Sequence, residues 1–141
     1  MGLITDHQDA KKALAALYRH LTPGGTLVLE IETVASIPHP CGVRRRAMHT
    51  RSDGSKIVLS FITTYQPEIQ LFTSRAHYES IVDGIVQETQ DELFEQYLYC
   101  FDELDILLQE VGFTNIKKFA AFDRTKIVYQ ATPIIVYECV K

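Results

Sequence analysis

The stretch Leu17–Thr33, LYRHLTPGGTLVLEIET, decides the reading of this chain. It holds a helix end, a tight turn and an apolar strand in direct succession. Thr22 precedes Pro23, which disfavours the helical conformation at Thr22. Pro23 suits the second position of a turn, and Gly24 can take the positive φ that a type II turn demands next. TLVLEIE (26–32) follows at once. Leu27, Val28, Leu29 and Ile31 make it almost continuously apolar, which predicts a strand covered on both faces, as in a parallel sheet.

Upstream, residues 7–21 have helical periodicity. Ala10, Ala13, Leu14, Leu17, Tyr18 and Leu21 recur at spacings of three and four and share one face. Thr5 or Asp6 can cap the start, because a side-chain oxygen accepts from the free amides of a first turn. Downstream, TVASIPHPCGV (33–43) is a loop with two prolines and a glycine. The texture then changes. Turn signals recur at Ser52-Asp53-Gly54, Gln66-Pro67-Glu68 and Asp83-Gly84, and Asp-Gly between β-rich runs marks a hairpin. Ile57, Leu59, Phe61 and Tyr65 fall on one face of their run, Val58 and Ile62 on the other. Residues 43–98 therefore read as an antiparallel meander of three or four strands, the last polar enough to be an edge or partly helical. FDELDILLQEV (101–111) returns to helical spacing, with Leu104, Leu107, Leu108 and Val111 as its stripe. Gly112 stands where a left-handed C-terminal cap belongs. Strands are expected at 115–122 and 134–140, joined by a loop. There is no internal repeat.

Composition sets the class. With 141 residues, 46% hydrophobic and 23% charged, this is one globular domain. A net charge of −4 argues against non-specific nucleic-acid binding, which needs a basic surface. No apolar run reaches the length of a membrane span. Three cysteines without CxxC spacing imply free thiols in a reducing, cytoplasmic setting. No histidine or cysteine spacing predicts a metal site.

The order helix, strand, meander, helix, strand, strand is half of a doubly wound sheet with an insertion. At this point the chain resembles a class I S-adenosylmethionine-dependent methyltransferase. ALYRHLTPGGTLVLEIE is similar to that family's fifth strand with the helix and PGG turn before it. CFDELDILLQEVGFTNIKKF resembles the later helix, the GF corner and the sixth strand. PIIVYECVK matches the last strand. The meander is similar to the inserted sheet of the small-molecule branch, which covers the methyl acceptor. The resemblance implies an α/β fold: the second half of a Rossmann-like sheet (1–42 and 99–141) carrying an antiparallel substrate-side insertion (43–98). It implies S-adenosylmethionine as cofactor and a small-molecule acceptor. In that family the cofactor lies over the first half, on a Gly-rich turn and a ribose-binding acid. Glycines stand here only at 2, 24, 25, 42, 54, 84 and 112, with no G-x-G among them. The resemblance therefore carries no cofactor residue onto this chain, which is expected to lack turnover alone. It would serve either with a chain supplying the missing half or as a non-catalytic binding or assembly module.

Acceptor-side candidates follow. Ligands of open α/β sheets bind beyond the carboxyl ends of strands, which singles out Glu32 and Thr33. His39, in IPHPCG, is the candidate general base, since imidazole titrates near neutrality. Arg75, Tyr78, Tyr97 and Tyr99 can line an acceptor pocket. VRRRAMHTR (43–51) reads as charge guarding a strand edge rather than as an anion clamp. The strand 26–32 should keep one flank open, and that predicts a homodimer or higher oligomer.

Overall fold

A computed structural model describes all residues, Met1–Lys141. The chain forms two compact units, residues 1–37 with 96–141, and residues 38–95.

In the first unit, helix α1 (His7–His20) starts on Asp6, whose side chain accepts from Asp9 N at 2.9 Å. Its inward face is narrower than the periodicity predicts. Ala10 and Leu14 are buried, but Leu17 is 42% exposed. Gly24 takes φ +76°, as the turn requires. Strand β1 (Thr26–Glu32) follows, then a 3-10 turn at Val34–Ser36. Helix α2 (Glu103–Val111) buries Leu104, Leu107 and Leu108. Its end is the expected left-handed cap. Gly112 sits at φ +111°, and Phe113 N donates to Leu108 O at 3.0 Å. Glycine is required twice over here, because a Cβ would also stand 3.2 Å from the Tyr18 ring. Phe113, 3% exposed, meets the edge of that same ring at 5.0 Å between centroids.

Two strands that follow the meander in the chain, β6 (Thr114–Ala120) and β7 (Ile134–Val140), complete a three-stranded sheet of order β1-β7-β6. β7 runs antiparallel to both neighbours. This corrects the parallel environment expected for residues 26–32. Their register places Leu27, Leu29 and Ile31 on the face shared with Cys139, Tyr137 and Ile135. That face forms the core with Leu14, Leu104, Leu107, Leu108 and Phe113. Burial on both faces, expected from the apolar run, does not occur within this chain, since Val28 on the opposite face is 56% exposed.

β1 is an outer strand, as expected, but its flank is not open throughout. Gly25 and Thr33 bond across to the two residues that flank β7, Gly25 O accepting from Lys141 N and Thr33 N donating to Pro133 O. By the alternation of an antiparallel ladder, the even-numbered residues turn their backbone groups outward. At the carboxyl end that outward side is occupied. Tyr99 N donates to Glu32 O at 3.1 Å, and Val34 N donates to Tyr99 O at 3.1 Å. Tyr99 thus forms a parallel bridge with Thr33, while Thr26, Val28 and Glu30 meet no second strand of this chain.

The second unit is a four-stranded meander, β2 (Arg45–Thr50), β3 (Lys56–Gln66), β4 (Leu71–Val82) and β5 (Ile85–Tyr97, whose last two residues lie in the first unit), in sheet order β2-β3-β4-β5. The turn chemistry explains the register. Asp83 and Gly84 both take positive φ, +50° and +78°, the geometry that matches the twist of a two-residue hairpin. At the first turn the Asp53 carboxylate accepts from Ser55 N at 2.9 Å and Ser55 Oγ at 2.7 Å. β5 is a strand along its length and contains no helix. Its residues 85–95 are exposed, as an edge rich in Glu, Gln and Asp tolerates. No helix of either unit is long and apolar enough to cross a membrane.

Candidate functional site

The carboxyl end of β1 gathers polar side chains from four segments of the first unit. Glu32 is half-buried there, its backbone carbonyl tied to Tyr99. Thr33 is 1% exposed. Its hydroxyl donates to Thr132 O at 2.8 Å and accepts from Ala35 N at 3.2 Å. These bonds fasten the strand end to the loop before β7 and cap the 3-10 turn, so the hydroxyl is already engaged within the chain.

Beside them runs Gln96–Cys100. Tyr97 is 9% exposed, and its hydroxyl donates a short hydrogen bond to Glu103 at the start of α2. Glu103 also accepts from Cys100 N at 2.8 Å and lies 3.6 Å from His7 Nδ1 at the start of α1. One carboxylate therefore ties the first turn of α2 to the segment that closes the β1 flank and lies close to the first turn of α1. A negative charge at two helix N-termini is also favoured by their dipoles. The rings of Tyr97 and Tyr99 meet edge to face at 5.0 Å.

A second polar group lies at the same end of α2. Lys118 of β6 bridges Asp102, through a short contact, and Asp105 at 2.7 Å, with its ammonium 4.7 Å from the Phe101 ring centre. Burial favours the neutral amine, but the two carboxylates outweigh it and raise the Lys118 pKa. The tyrosines respond in the same direction. Burial, then the Glu103 charge, pushes Tyr99 up to about 12, and burial with the Asp105 carboxylate holds Tyr137 well above the ordinary phenol range. Tyr97 is raised by burial and by Glu103. At neutral pH these phenols are therefore not bases: Tyr97 hydrogen-bonds through its hydroxyl, and Tyr99 and Tyr137 are buried packing groups whose hydroxyls meet no hydrogen-bond partner.

Of the residues singled out from sequence, the structure brings Glu32, Thr33, Tyr97 and Tyr99 together at this strand end. His39, Arg75 and Tyr78 belong to the second unit. His39 is exposed on its loop, with a backbone carbonyl 3.5 Å from Arg45 Nη2 and no hydrogen bond from its imidazole. Arg75 is exposed on β4. Glu103 and His7 were not legible as site residues. The one signal was the spacing of three from Cys100 to Glu103, the interval at which a first-turn glutamate reaches back to a preceding amide.

The residues present do not fit S-adenosylmethionine. A cofactor cradle needs a glycine between a strand and a helix N-terminus, where backbone can approach the ligand. Gly24, Gly42, Gly54 and Gly84 all have positive φ and open surroundings, as turn glycines do. Gly25 faces Thr22, Gly112 faces Tyr18, and Gly2 faces Gln96. None stands at a strand-to-helix junction.

No protein-family profile and no curated protein sequence matches the chain. Solved structures do. An S-adenosylmethionine-dependent methyltransferase from Clostridium acetobutylicum superposes with a TM-score of 0.77 at 18% identity, over 99% of this chain and 53% of its own. The CcbJ methyltransferase from Streptomyces caelestis gives 0.70 at 16% identity, over 98% and 52%. The sugar N-methyltransferase KedS8 from Streptoalloteichus gives 0.69 at 16%, over 96% and 50%. The chain spans about half the length of these structures. With its order β1-β7-β6, both helices on one face and the meander between β1 and α2, the chain has a partial class I S-adenosylmethionine-dependent methyltransferase fold.

Proposed function

We propose that these 141 residues are the acceptor-side half of a small-molecule S-adenosylmethionine-dependent methyltransferase, acting in a reducing, cytoplasmic setting, with the cofactor held by residues outside them. The observation that carries this reading is the near-complete superposition of the chain, meander included, on half of a methyltransferase. The absence of any glycine at a strand-to-helix junction supports placing the cofactor elsewhere. In this reading Glu32, at the strand end of the first unit, is a group available to an acceptor amine or hydroxyl. On the meander unit, the exposed His39 imidazole is the proton-acceptor candidate. Thr33 and Tyr97 shape the strand end. Methyl transfer is a direct displacement, so positioning dominates and no protein nucleophile is needed.

Calorimetric titration with S-adenosylmethionine tests this. The 141-residue chain should show no saturable binding up to about 1 mM, a limit of roughly −4 kcal/mol. Binding should appear once a strand–GxGxG–helix segment is supplied, in the same chain or as a second one. Micromolar affinity of the 141 residues alone would overturn the reading.

A second role, as an assembly module, is favoured by the outer edge of β1. Thr26, Val28 and Glu30 carry outward backbone groups without a neighbouring strand, and Val28 and Phe122 are 56% and 78% exposed. Such an edge templates pairing with another chain. Size-exclusion chromatography should find a homo-oligomer at high concentration, reverting toward monomer in Val28→Lys. A wild-type chain that elutes as monomer at every concentration counts against it.

A further inference from the structure

One face of the meander carries more arginine than its carboxylates neutralise. Register sets the pattern. Arg46 on β2, Ser60 on β3 and His77 on β4 form one row across the sheet. Ile62 pairs with Arg75 in the next row. Arg44, two residues before Arg46, falls on the same face beside Ile62, because side chains alternate with a period of two. Arg44, Ser60, Ile62, Arg75, His77 and Asp91 line a cavity of about 440 Å³.

The charges around it do not cancel. Glu79 takes Arg46 at 3.9 Å, and Asp91 takes His77 at 2.6 Å. Arg45 turns away to the carbonyls of His39 and Pro40. Arg44 and Arg75 have no carboxylate partner. They flank Ile62 from strands roughly 10 Å apart, close enough for two arginine side chains to meet above it. An edge guard explains an arginine on β2 but not Arg75, which sits on an inner strand facing the same cavity.

We propose that this cavity is an anion subsite for the phosphate group of a phosphorylated small molecule, held between the guanidinium groups of Arg44 and Arg75 with Ser60 Oγ beneath. A single bidentate fork saturates the two oxygens of a carboxylate. Two forks and a hydroxyl suit the three terminal oxygens of a phosphate. The chain as a whole carries −4, so its general field repels anions, and retention requires a local site. The subsite lies wholly on the meander and does not depend on the methyl-transfer reading.

The test is calorimetric titration of the 141-residue chain with pyrophosphate and, separately, with malonate, at constant ionic strength. Pyrophosphate should bind saturably and more tightly than malonate. Arg44→Gln and Arg75→Gln should each weaken it by about tenfold or more, the loss expected for a charge-assisted contact. Arg75→Lys, which keeps charge and fold but lacks the fork, should weaken it nearly as much. Arg51→Gln, outside the cavity, should change it by less than about twofold. The proposal is overturned if pyrophosphate does not saturate, if malonate binds equally well, or if Arg51→Gln costs as much as Arg44→Gln.

Discussion

Glu103→Ala should destabilise the α/β unit by about 3 kcal/mol in urea denaturation, more than any other single exposed-to-half-buried charge change in the chain. The carboxylate accepts from the Tyr97 hydroxyl and from Cys100 N, and it faces His7. Hydrogen bonds to a charged group contribute about 1.5–3 kcal/mol each, and deleting the acceptor leaves the Tyr97 hydroxyl buried without its partner. Glu103→Gln keeps an acceptor and should lose only about 1 kcal/mol. Tyr97→Phe removes the same bond from the other side, so Glu103→Ala with Tyr97→Phe should cost clearly less than the sum of the two. Additive costs, or a change below about 0.5 kcal/mol for Glu103→Ala, would show that the carboxylate does not tie the start of α2 to the Tyr97–Cys100 segment as described.

Stability should also fall by about 3 kcal/mol or more between pH 9 and pH 11. Tyr97, Tyr99 and Tyr137 are all raised above the ordinary value of 10.0. Cys139 is pushed by burial from 9.0 to about 11, and Lys118 is raised by its two carboxylates against its own burial. Every shift has the same sign. The unfolded chain releases these protons first, so the contribution is fully present below the unfolded pKa values and is lost as pH rises through the folded ones. Each tyrosine held neutral accounts for about 1 kcal/mol by pH 11. Urea midpoints at pH 9, 10 and 11 check the loss. Tyr99→Phe and Tyr137→Phe should each flatten the profile. Unchanged midpoints to pH 11, or phenylalanine variants with the wild-type slope, would contradict this account.

Local chemistry made most of the elements legible. The TPGG turn, the Asp83-Gly84 hairpin and the Gly112 cap each demand a backbone conformation that few residues supply, so their positions followed directly from residue type. The run 134–140 and the run 26–32 were read to the residue. What failed was neighbourhood. Leu27–Ile31 reads as doubly covered because apolarity records how much surface a strand can bury, not what is present to bury it. Val28 shows the difference, and so does Leu17 on α1. The polar cluster was hidden for a related reason. Tyr97, Glu103 and His7 are separated in the chain, and the crossing of Tyr99 over the end of β1 and the bond from Tyr97 N to Gly2 O bring them together. Arg75 was legible as a candidate ligand group, but its partnership with Arg44 depends on register across three strands, which alternation alone does not fix.

The Tyr99 crossing also sets a ruler on anything that joins the sheet at β1. A strand added along the outer edge, from any source, has the run Thr26–Glu30 available before it reaches the Tyr99 backbone. That is about 17 Å at the usual rise per residue. A longer incoming strand must bend away or stop there, so the chain itself dictates where such a strand ends and delivers its terminus beside Glu32.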